Sequence, residues 1–428
     1  MGGLRQMKKF MAWVETSLAP FGARLSEQRH LAAIRDGLLS LTAFIIIGSF
    51  VVLILNLPIK GWGDLYAIKL IRFYGLPTWN GTMGILSLLA AMAIGNKLAE
   101  SYKLDGNIGA VMSAAAFITI TPEVTGAWGL PFWMAGWLFT AMISAIITIE
   151  IWRWFVKNKI VIKMPDSVPP AVGKSFSAIL PALGVLLFWA LCRGGLTVLA
   201  GISINDLILK VLSPLKAVGG SLAGALVAVL LVHLLWAVGV HGGTIVFTIF
   251  GPFFLEATTA NTAALQAGQP IPNIVTAPFL DMFVYIGGAG ATLGLAALML
   301  FRAKSAQLKA LGKVAFGPAL FNINEPILFG TPMIANPMMF IPFLLAPITM
   351  CLVTYFAMAS GLVGKTIAVA NWASPVVVGA LATTADWKSV ILQLVNVGIS
   401  LVIYYPFFVV YDKMKVREEA ELAKKTAA

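Results

Sequence analysis

The chain has 428 residues, of which 59% are hydrophobic and 11% are charged, and its mean hydropathy is +0.90. Soluble globular domains carry about 25% charged residues, so this composition excludes a soluble protein and requires lipid around the apolar surface. A net charge of +12 would suggest nucleic-acid binding in a soluble protein, but here the basic residues lie between apolar runs and indicate membrane topology. Cys192 and Cys351 are far apart in apolar stretches, which argues against a disulfide framework or a thiolate metal site.

The N-terminal residues 1–32 predict an amphipathic helix on the membrane surface. Apolar residues recur there at helical spacing among basic ones. The longest apolar run, Phe10 to Val14, is too short for the core of a cleaved signal peptide. We therefore expect the segment to be retained.

About ten apolar stretches follow that are long enough to cross a bilayer core of about 30 Å. The predicted spans cover residues 33–56, 79–98, 106–121, 132–152, 176–200, 219–239, 242–257, 279–300, 338–360 and 388–411. With the N-terminus inside, most of the 30 Lys and Arg residues fall in inner segments, so the positive-inside rule predicts that both termini are cytoplasmic. The expected fold is an all-α polytopic membrane protein of about ten transmembrane helices.

The two halves of the chain differ in how often their apolar stretches are interrupted. Residues 33–202 read as five ordinary membrane helices, and 203–217 as an amphipathic connector. From 218 to 412 the apolar stretches are repeatedly cut by glycine and proline, which end helices. Broken backbone at membrane depth is tolerated where it is buried in protein or lines a wet cavity, so this half predicts re-entrant hairpins around a binding site. Residues 413–428 form a charged tail.

Several ionisable residues lie at or near the predicted spans, where lipid should exclude them. For Glu150 and Glu256, near predicted helix ends, the sequence favours a structural role. His233, on a uniformly apolar helix, favours a hydrogen-bonded core histidine.

His241 and Glu325 are different. His241 precedes Gly242 and Gly243, which allow close backbone approach and leave peptide N–H groups at the next helix start for an anion. Glu325 precedes Pro326, a residue suited to the first turn of a helix. A carboxylate and an imidazole beside broken backbone can act as general base and charge partner on a hydroxyl group. A structural salt bridge would give the same pattern.

Polar residues nearby suit a sugar ligand. Asp281, Asn322 and Asn324 supply acceptors and donors for hydroxyl groups, and Trp372 can stack on a pyranose face, although an interfacial anchor is the alternative for a membrane tryptophan. The sequence has no P-loop, GxSxG or zinc motif. We therefore expect no bound metal or cofactor, and a phosphoryl donor would have to be another protein.

Three motifs resemble one known family. They are His241-Gly-Gly, the run from Gly251 through Asn261, and Asn322-Ile-Asn-Glu325-Pro-Ile-Leu-Phe-Gly-Thr-Pro332. They resemble the membrane-embedded enzyme IIC component of the phosphoenolpyruvate-dependent sugar phosphotransferase system, in its lactose/cellobiose/N,N′-diacetylchitobiose branch.

The resemblance implies a homodimer in a bacterial cytoplasmic membrane, with the first five helices at the dimer contact and the second half holding a β-linked disaccharide. It implies a separate IIB protein, with IIA upstream, that passes a phosphoryl group from phosphoenolpyruvate to the sugar's 6-hydroxyl. Glu325 and His241 would be the catalytic residues, and Asp281, Asn322, Asn324, Gly242 and Trp372 would bind the sugar. No nucleic-acid partner is implied. An ion-coupled secondary transporter that moves unmodified sugar is the main alternative, and a sensory membrane protein is another.

Overall fold

The structure is a computed structural model that describes residues 27–55, 64–122, 135–165, 168–237, 239–331 and 337–427, with Thr16, Pro20, Phe21, Arg24 and Met333. Every regular element in these ranges is a helix, so the prediction of an all-α protein is confirmed. The amphipathic segment predicted over residues 1–32 lies almost entirely outside the described residues.

Six helical stretches of the described chain are long and apolar enough to cross a membrane. They are Tyr66–Ser101, Leu138–Lys157, Val172–Ala200, Gly242–Gln266, Met338–Ala359 and Lys388–Lys425. A bent pair, Arg29–Ser40 with Thr42–Gly48, would raise the number to seven. Three more apolar helices, Gly106–Ile120, Leu222–Ala237 and Leu293–Arg302, are shorter. Length and composition therefore support a polytopic membrane fold, but they do not confirm the count of ten spans.

The chain divides into two compact units, and the first comprises described residues between 26 and 217. Its helices are α1 (Arg29–Ser40), α2 (Thr42–Leu55), α3 (Tyr66–Asn80), α4 (Leu86–Ser101), α5 (Gly106–Ile120), α6 (Leu138–Lys157), α7 (Pro170–Ser177), α8 (Ile179–Ala200) and α9 (Ile204–Gly219), the last ending just beyond the unit. Helix α3 was not among the predicted spans, because Lys69, Arg72 and Pro77 lower its apolar character.

Small residues bring α4 and α5 together. A Cβ atom on Gly95 would lie 2.1 Å from the Ser113 hydroxyl and 2.8 Å from the Gly109 carbonyl. Such close backbone approach is the usual way for membrane helices to pack, since lipid provides no hydrophobic drive between them.

A charged cluster in the same unit explains Glu150. Its carboxylate accepts hydrogen bonds from His30 Nε2 at 2.9 Å, from Arg153 at 3.1 Å and from the Tyr102 hydroxyl. Arg29 and Arg153 lie over the Tyr102 ring, 4.4 and 4.2 Å from its centroid. Glu150 therefore links α1 and α6 to the residue that follows α4, in agreement with the structural role favoured by the sequence.

The second unit consists mainly of residues 218 onwards. Its helices are α10 (Leu222–Ala237), α11 (Gly242–Gln266), α12 (Ala277–Phe279), α13 (Leu293–Arg302), α14 (Ala306–Ala319), α15 (Glu325–Gly330), α16 (Pro337–Ala359), α17 (Val378–Thr384) and α18 (Lys388–Ala427), and a π-helical turn, Leu280–Val284, follows α12. Its core contains fully buried aromatic rings such as Phe279, Phe283 and Phe343.

Helix boundaries in this unit differ from the predicted spans in three places. The predicted span 279–300 is broken, because Gly287, Gly288 and Gly290 adopt φ values of +81°, +86° and +81°, which a helix cannot contain. Helix α11 continues to Gln266 past the predicted end at 257, so Glu256 is a buried mid-helix residue rather than one near a helix end. Helix α18 continues without interruption through the segment predicted as a tail.

Candidate functional site

The broken segment 285–292, here named the glycine loop, is buried, and its polar backbone groups find partners from several elements. The Gly290 N–H donates to His233 Nε2 at 2.7 Å, and the Gly287 N–H donates to Asn322 Oδ1 at 2.8 Å. The Ala289 carbonyl accepts from Asn324 Nδ2 at 2.6 Å. Buried backbone groups require such partners, so this loop is rigidly held.

His233 is a core residue, as predicted. It is fully buried, its Nδ1 donates to the Val229 carbonyl at 2.6 Å, and its Nε2 accepts from the Gly290 N–H. Both ring nitrogens are therefore satisfied in the neutral form, and the ring joins α10 to the glycine loop.

Asn322 and Asn324 connect the glycine loop to the Glu325 helix. The Asn322 side chain also donates from Nδ2 to the Trp372 carbonyl at 2.8 Å and to the Asp281 carbonyl at 3.4 Å. Asn322 itself adopts a φ of +61°, a region that asparagine tolerates better than most residues. Asn322 is thus joined by direct hydrogen bonds to the backbone of Asp281 and Trp372, whereas Asn324 bonds to Ala289 and Thr292 of the glycine loop. Both asparagine amides are engaged by the protein.

Glu325 begins α15 directly after Asn324, whose carbonyl accepts from the Ile327 and Leu328 N–H groups at 2.9 and 3.0 Å. The Glu325 side chain is exposed, and within the described residues it has no hydrogen bond or ion pair. Asn322 and Asn324 fix the backbone that leads into Glu325, and the carboxylate has no partner among the described residues. It is therefore available to a ligand.

His241 caps the start of α11. Its Nδ1 accepts from the Thr244 N–H at 3.1 Å and lies 3.0 Å from the Thr244 hydroxyl, while its ring packs on Trp236 at a centroid distance of 4.6 Å. The sequence predicted that the peptide N–H groups at this helix start would be free to bind an anion. The Thr244 N–H is not free, because it donates to the His241 ring. No hydrogen bond or ion pair joins His241 to Glu325 in the described part of the chain.

Gly242 has a packing reason to be glycine. A Cβ atom there would lie 2.0 Å from the Val232 carbonyl oxygen on α10, closer than any side chain allows. Trp372 is 55% exposed, which leaves its ring accessible. The sugar contacts of both residues remain predictions.

A polar stripe on α18 was missed by sequence reasoning. Four buried side chains bond to backbone carbonyls in 282–291: Gln393 to Met282 at 2.6 Å, Asn396 to Phe283 at 2.9 Å, Ser400 to Ala291 at 2.6 Å and Tyr404 to Gly290 at 2.8 Å. The signal was present, because positions 393, 396, 400 and 404 recur at the spacing of one helical face within an apolar span.

A groove of about 640 Å³ lies elsewhere, between α16 and α18, lined by apolar side chains such as Leu352, Phe356 and Leu392. Among the described residues that line it, only Ser360 and Lys388 have polar side chains. It is therefore poorly suited to reading sugar hydroxyls, and we place the candidate site at the glycine loop, where polar groups converge.

The described residues combine apolar helices long enough to cross a membrane with irregular buried backbone and an unpartnered carboxylate beside it. This combination is expected of a membrane transport protein. The family model "Phosphotransferase system, EIIC" matches residues 35–347, and the chain belongs to this family. As an EIIC component it is part of the phosphotransferase system, which couples transport to phosphorylation.

Three similar proteins cover nearly the whole chain. The cellobiose-specific EIIC component of Geobacillus stearothermophilus is 41% identical, with 96% of each chain covered. The lichenan permease IIC component of Bacillus subtilis (strain 168) is 40% identical over 97% of this chain and 96% of that one. The crystal structure of the transporter ChbC, the IIC component from the N,N′-diacetylchitobiose-specific phosphotransferase system, matches with a TM-score of 0.89 and 39% identity over 95% of this chain and 99% of that one.

Proposed function

We propose that the protein binds a β-linked disaccharide of the cellobiose or diacetylchitobiose type, moves it across the membrane and presents its 6-hydroxyl to a phosphorylated IIB protein. The observation that carries this proposal is Glu325, an exposed carboxylate without a partner in the described chain, fixed beside the glycine loop through Asn324. The names of the similar proteins support the β-linked sugar.

In this proposal Glu325 accepts the proton of the 6-hydroxyl as the oxygen–phosphorus bond forms. The phosphorus–sulfur bond to the IIB cysteine breaks at the same centre, and the thiolate leaves. Phosphoryl transfer depends mainly on positioning and charge stabilisation, so the carboxylate's contribution is to orient the hydroxyl and take its proton. The phosphoryl group originates from phosphoenolpyruvate and reaches IIB through IIA.

His241 is proposed to donate from Nε2 to the sugar or to the arriving phosphoryl oxygens. Trp372 supplies a face on which a pyranose ring can stack. Asp281 and the N–H of Gly242 are proposed as further sugar contacts, while Asn322 and Asn324 hold the backbone that surrounds the sugar.

The proposed membrane arrangement follows the sequence predictions. Counting the three shorter apolar helices and the bent pair with the six long ones gives ten crossings with both termini cytoplasmic. The irregular segments around 280–292 and 320–331 are proposed to be re-entrant, and the first unit to form the contact of a homodimer.

The product of transport tests the proposal. Vesicles that contain the purified protein and enclose phosphorylated IIB should accumulate cellobiose phosphate, and vesicles with unphosphorylated IIB should not. Accumulation of free cellobiose driven by an ion gradient alone would refute the proposal and favour a secondary transporter. Absence of both transport and binding of a β-disaccharide panel would favour a sensory protein.

A further inference from the structure

The polar stripe on α18 donates hydrogen bonds to backbone carbonyls of two irregular segments. Two of the four carbonyls, of Met282 and Phe283, belong to the π-helical turn, and the other two, of Gly290 and Ala291, belong to the glycine loop. All four stripe side chains are at most 1% exposed. Water is excluded from this contact. Each side chain therefore supplies a hydrogen bond that the backbone carbonyl would otherwise lack.

The glycine loop then passes this constraint in two directions. Gly290 is held on its carbonyl side by Tyr404 and on its N–H side by His233. Its neighbour Ala289 accepts from Asn324, the residue that precedes Glu325. Two hydrogen bonds, the Ala289–Gly290 peptide bond, the Asn324 side chain and the Asn324–Glu325 peptide bond therefore connect the Tyr404 hydroxyl to the backbone of Glu325.

Gln393 makes a second bridge. Its Nε2 donates to the Met282 carbonyl, and its Oε1 accepts from the Val377 N–H at 2.5 Å. The adjacent residue Val376 donates to the Leu320 carbonyl at 2.9 Å, which places the 371–377 segment against the start of the Asn322 turn. The stripe is thus linked to the predicted sugar-site residue Asn322 both through the glycine loop and through the 371–377 segment.

We propose that the α18 stripe is a set of positioning residues, and that Tyr404 and Ser400 orient the Glu325 carboxylate through the glycine loop and Asn324. This inference rests on the proposed function for its kinetic consequence, but the structural link stands independently of it. Because misplacement of a reacting group by about 1 Å can cost about 100-fold in rate, a loosened loop should slow sugar phosphorylation rather than abolish sugar binding.

Tyr404→Phe is the sharpest variant, since it removes the hydroxyl and keeps the buried ring. The neighbouring Tyr405 is 54% exposed and bonds to nothing in the described chain, so Tyr405→Phe is a matched control. Ser400→Ala tests the next position of the stripe. The protein is used at full length in vesicles, with cellobiose and phosphorylated IIB.

The first readout does not depend on catalysis. In Tyr404→Phe, backbone hydrogen exchange should be faster in both 285–292 and 321–330, and in Tyr405→Phe it should match the wild type in both. Faster exchange confined to 285–292 would overturn the proposal, because the link to Glu325 would then be absent. Unchanged exchange in both segments would overturn it as well.

The second readout is kinetic. Per sugar-binding protein, kcat for cellobiose phosphorylation should fall about tenfold in Tyr404→Phe and in Ser400→Ala, with the sugar Kd within about twofold of the wild type. An unchanged kcat per sugar-binding protein would overturn the proposal, because the stripe would then have a purely structural role. A wild type that binds no sugar and makes no sugar phosphate would instead refute the proposed function, while the exchange measurement would still decide the link.

A double-mutant cycle separates action through Glu325 from an independent effect. Glu325→Asp moves the carboxylate back by one methylene and leaves a slower reaction to measure. In that background Tyr404→Phe should lower kcat by much less than tenfold, because the carboxylate position that Tyr404 maintains is already lost. A full tenfold loss on top of Glu325→Asp would overturn the proposal.

Discussion

The Nδ1 atom of His241 lies 3.1 Å from the backbone nitrogen of Thr244 and accepts its hydrogen bond. A backbone N–H can only donate, so Nδ1 carries no proton in this arrangement and the ring proton is on Nε2. His241 thus has two functions on opposite sides of its ring: it caps α11 with one nitrogen and presents a donor with the other.

These two functions can be separated by substitution. Asn places an amide oxygen near the position of Nδ1, so His241→Asn should keep the helix cap and lose the outward donor. His241→Ala should lose both. We expect the melting temperature of His241→Asn to stay near the wild-type value and that of His241→Ala to fall, while the Kd for cellobiose rises about tenfold in both. Unchanged affinity in either variant would exclude His241 from the sugar site.

Glu325→Gln should lower the rate of cellobiose phosphorylation at least 100-fold and raise the sugar Kd by less than about fivefold. The amide keeps the size and much of the hydrogen bonding of the carboxylate, but it cannot accept the hydroxyl proton. Single-turnover phosphorylation and isothermal titration measure the two quantities separately. An equal loss in both would make Glu325 a binding residue only.

Trp372→Ala should weaken cellobiose binding about tenfold, and Trp372→Phe should restore part of the loss, because a smaller aromatic face still stacks on the sugar. The backbone carbonyl of residue 372, which accepts from Asn322, is retained in both variants. Trp387 is 62% exposed and provides the control, since Trp387→Ala should leave the sugar Kd unchanged. If the two alanine variants behave alike, Trp372 is a membrane anchor.

Much of the fold was predictable because lipid imposes simple rules. A run of apolar residues in a bilayer must be helical, so the positions of α5, α6, α10, α16 and the membrane part of α18 follow from hydropathy. The exceptions depend on contacts between segments that are far apart in the sequence. The span predicted over 279–300 is broken by residues whose conformation depends on contacts made by distant parts of the chain, and α11 continues past residue 257 because its polar residues Asn261 and Thr262 bond to the 366–367 backbone.

The candidate site was only partly predictable. Density of glycine and proline pointed to the region in which the structure places the glycine loop, and residue type selected His241 and Glu325 as candidates. Asn322 and Asn324 were expected to read hydroxyls, but the sequence contains nothing that reveals their use as backbone partners of the glycine loop. Gln393 and Tyr404 were overlooked because a single polar residue in an apolar span has many explanations, and only the carbonyls opposite it decide among them.

Gly290 is expected to tolerate no side chain. It has a φ of +81°, and a Cβ atom would lie 2.1 Å from the ring of Phe343, which is itself buried. Strain and overpacking together should lower the free energy of unfolding by about 2–5 kcal/mol in Gly290→Ala. Gly398 lies within α18, and no atom of the described residues lies within 4 Å of its Cβ position, so Gly398→Ala should change stability by less than about 1 kcal/mol. Thermal unfolding in detergent compares the two, and equal effects would contradict the placement of Gly290.

Asp105 caps α5 in the first unit and predicts a pH dependence of stability. Its carboxylate accepts from the Asn107 and Ile108 N–H groups and pairs with the Lys174 ammonium at 3.1 Å. Lys174, followed by the Ile108 N–H, holds the pKa of Asp105 below its ordinary value of 3.8. A lowered pKa in the folded state stabilises the protein above the unfolded pKa, and this contribution is lost as the pH falls through the folded value.

Asp105→Asn should keep the helix cap and lose the pairing with Lys174, so its melting temperature should lie below that of the wild type at neutral pH. The difference between the two proteins should stay constant down to about pH 5 and then shrink as the pH falls below 3.8. Lys174→Met should lower the wild-type melting temperature by a similar amount and have little effect on Asp105→Asn, because the pair is already broken. A difference between wild type and Asp105→Asn that persists unchanged at low pH would show that the carboxylate charge does not stabilise α5.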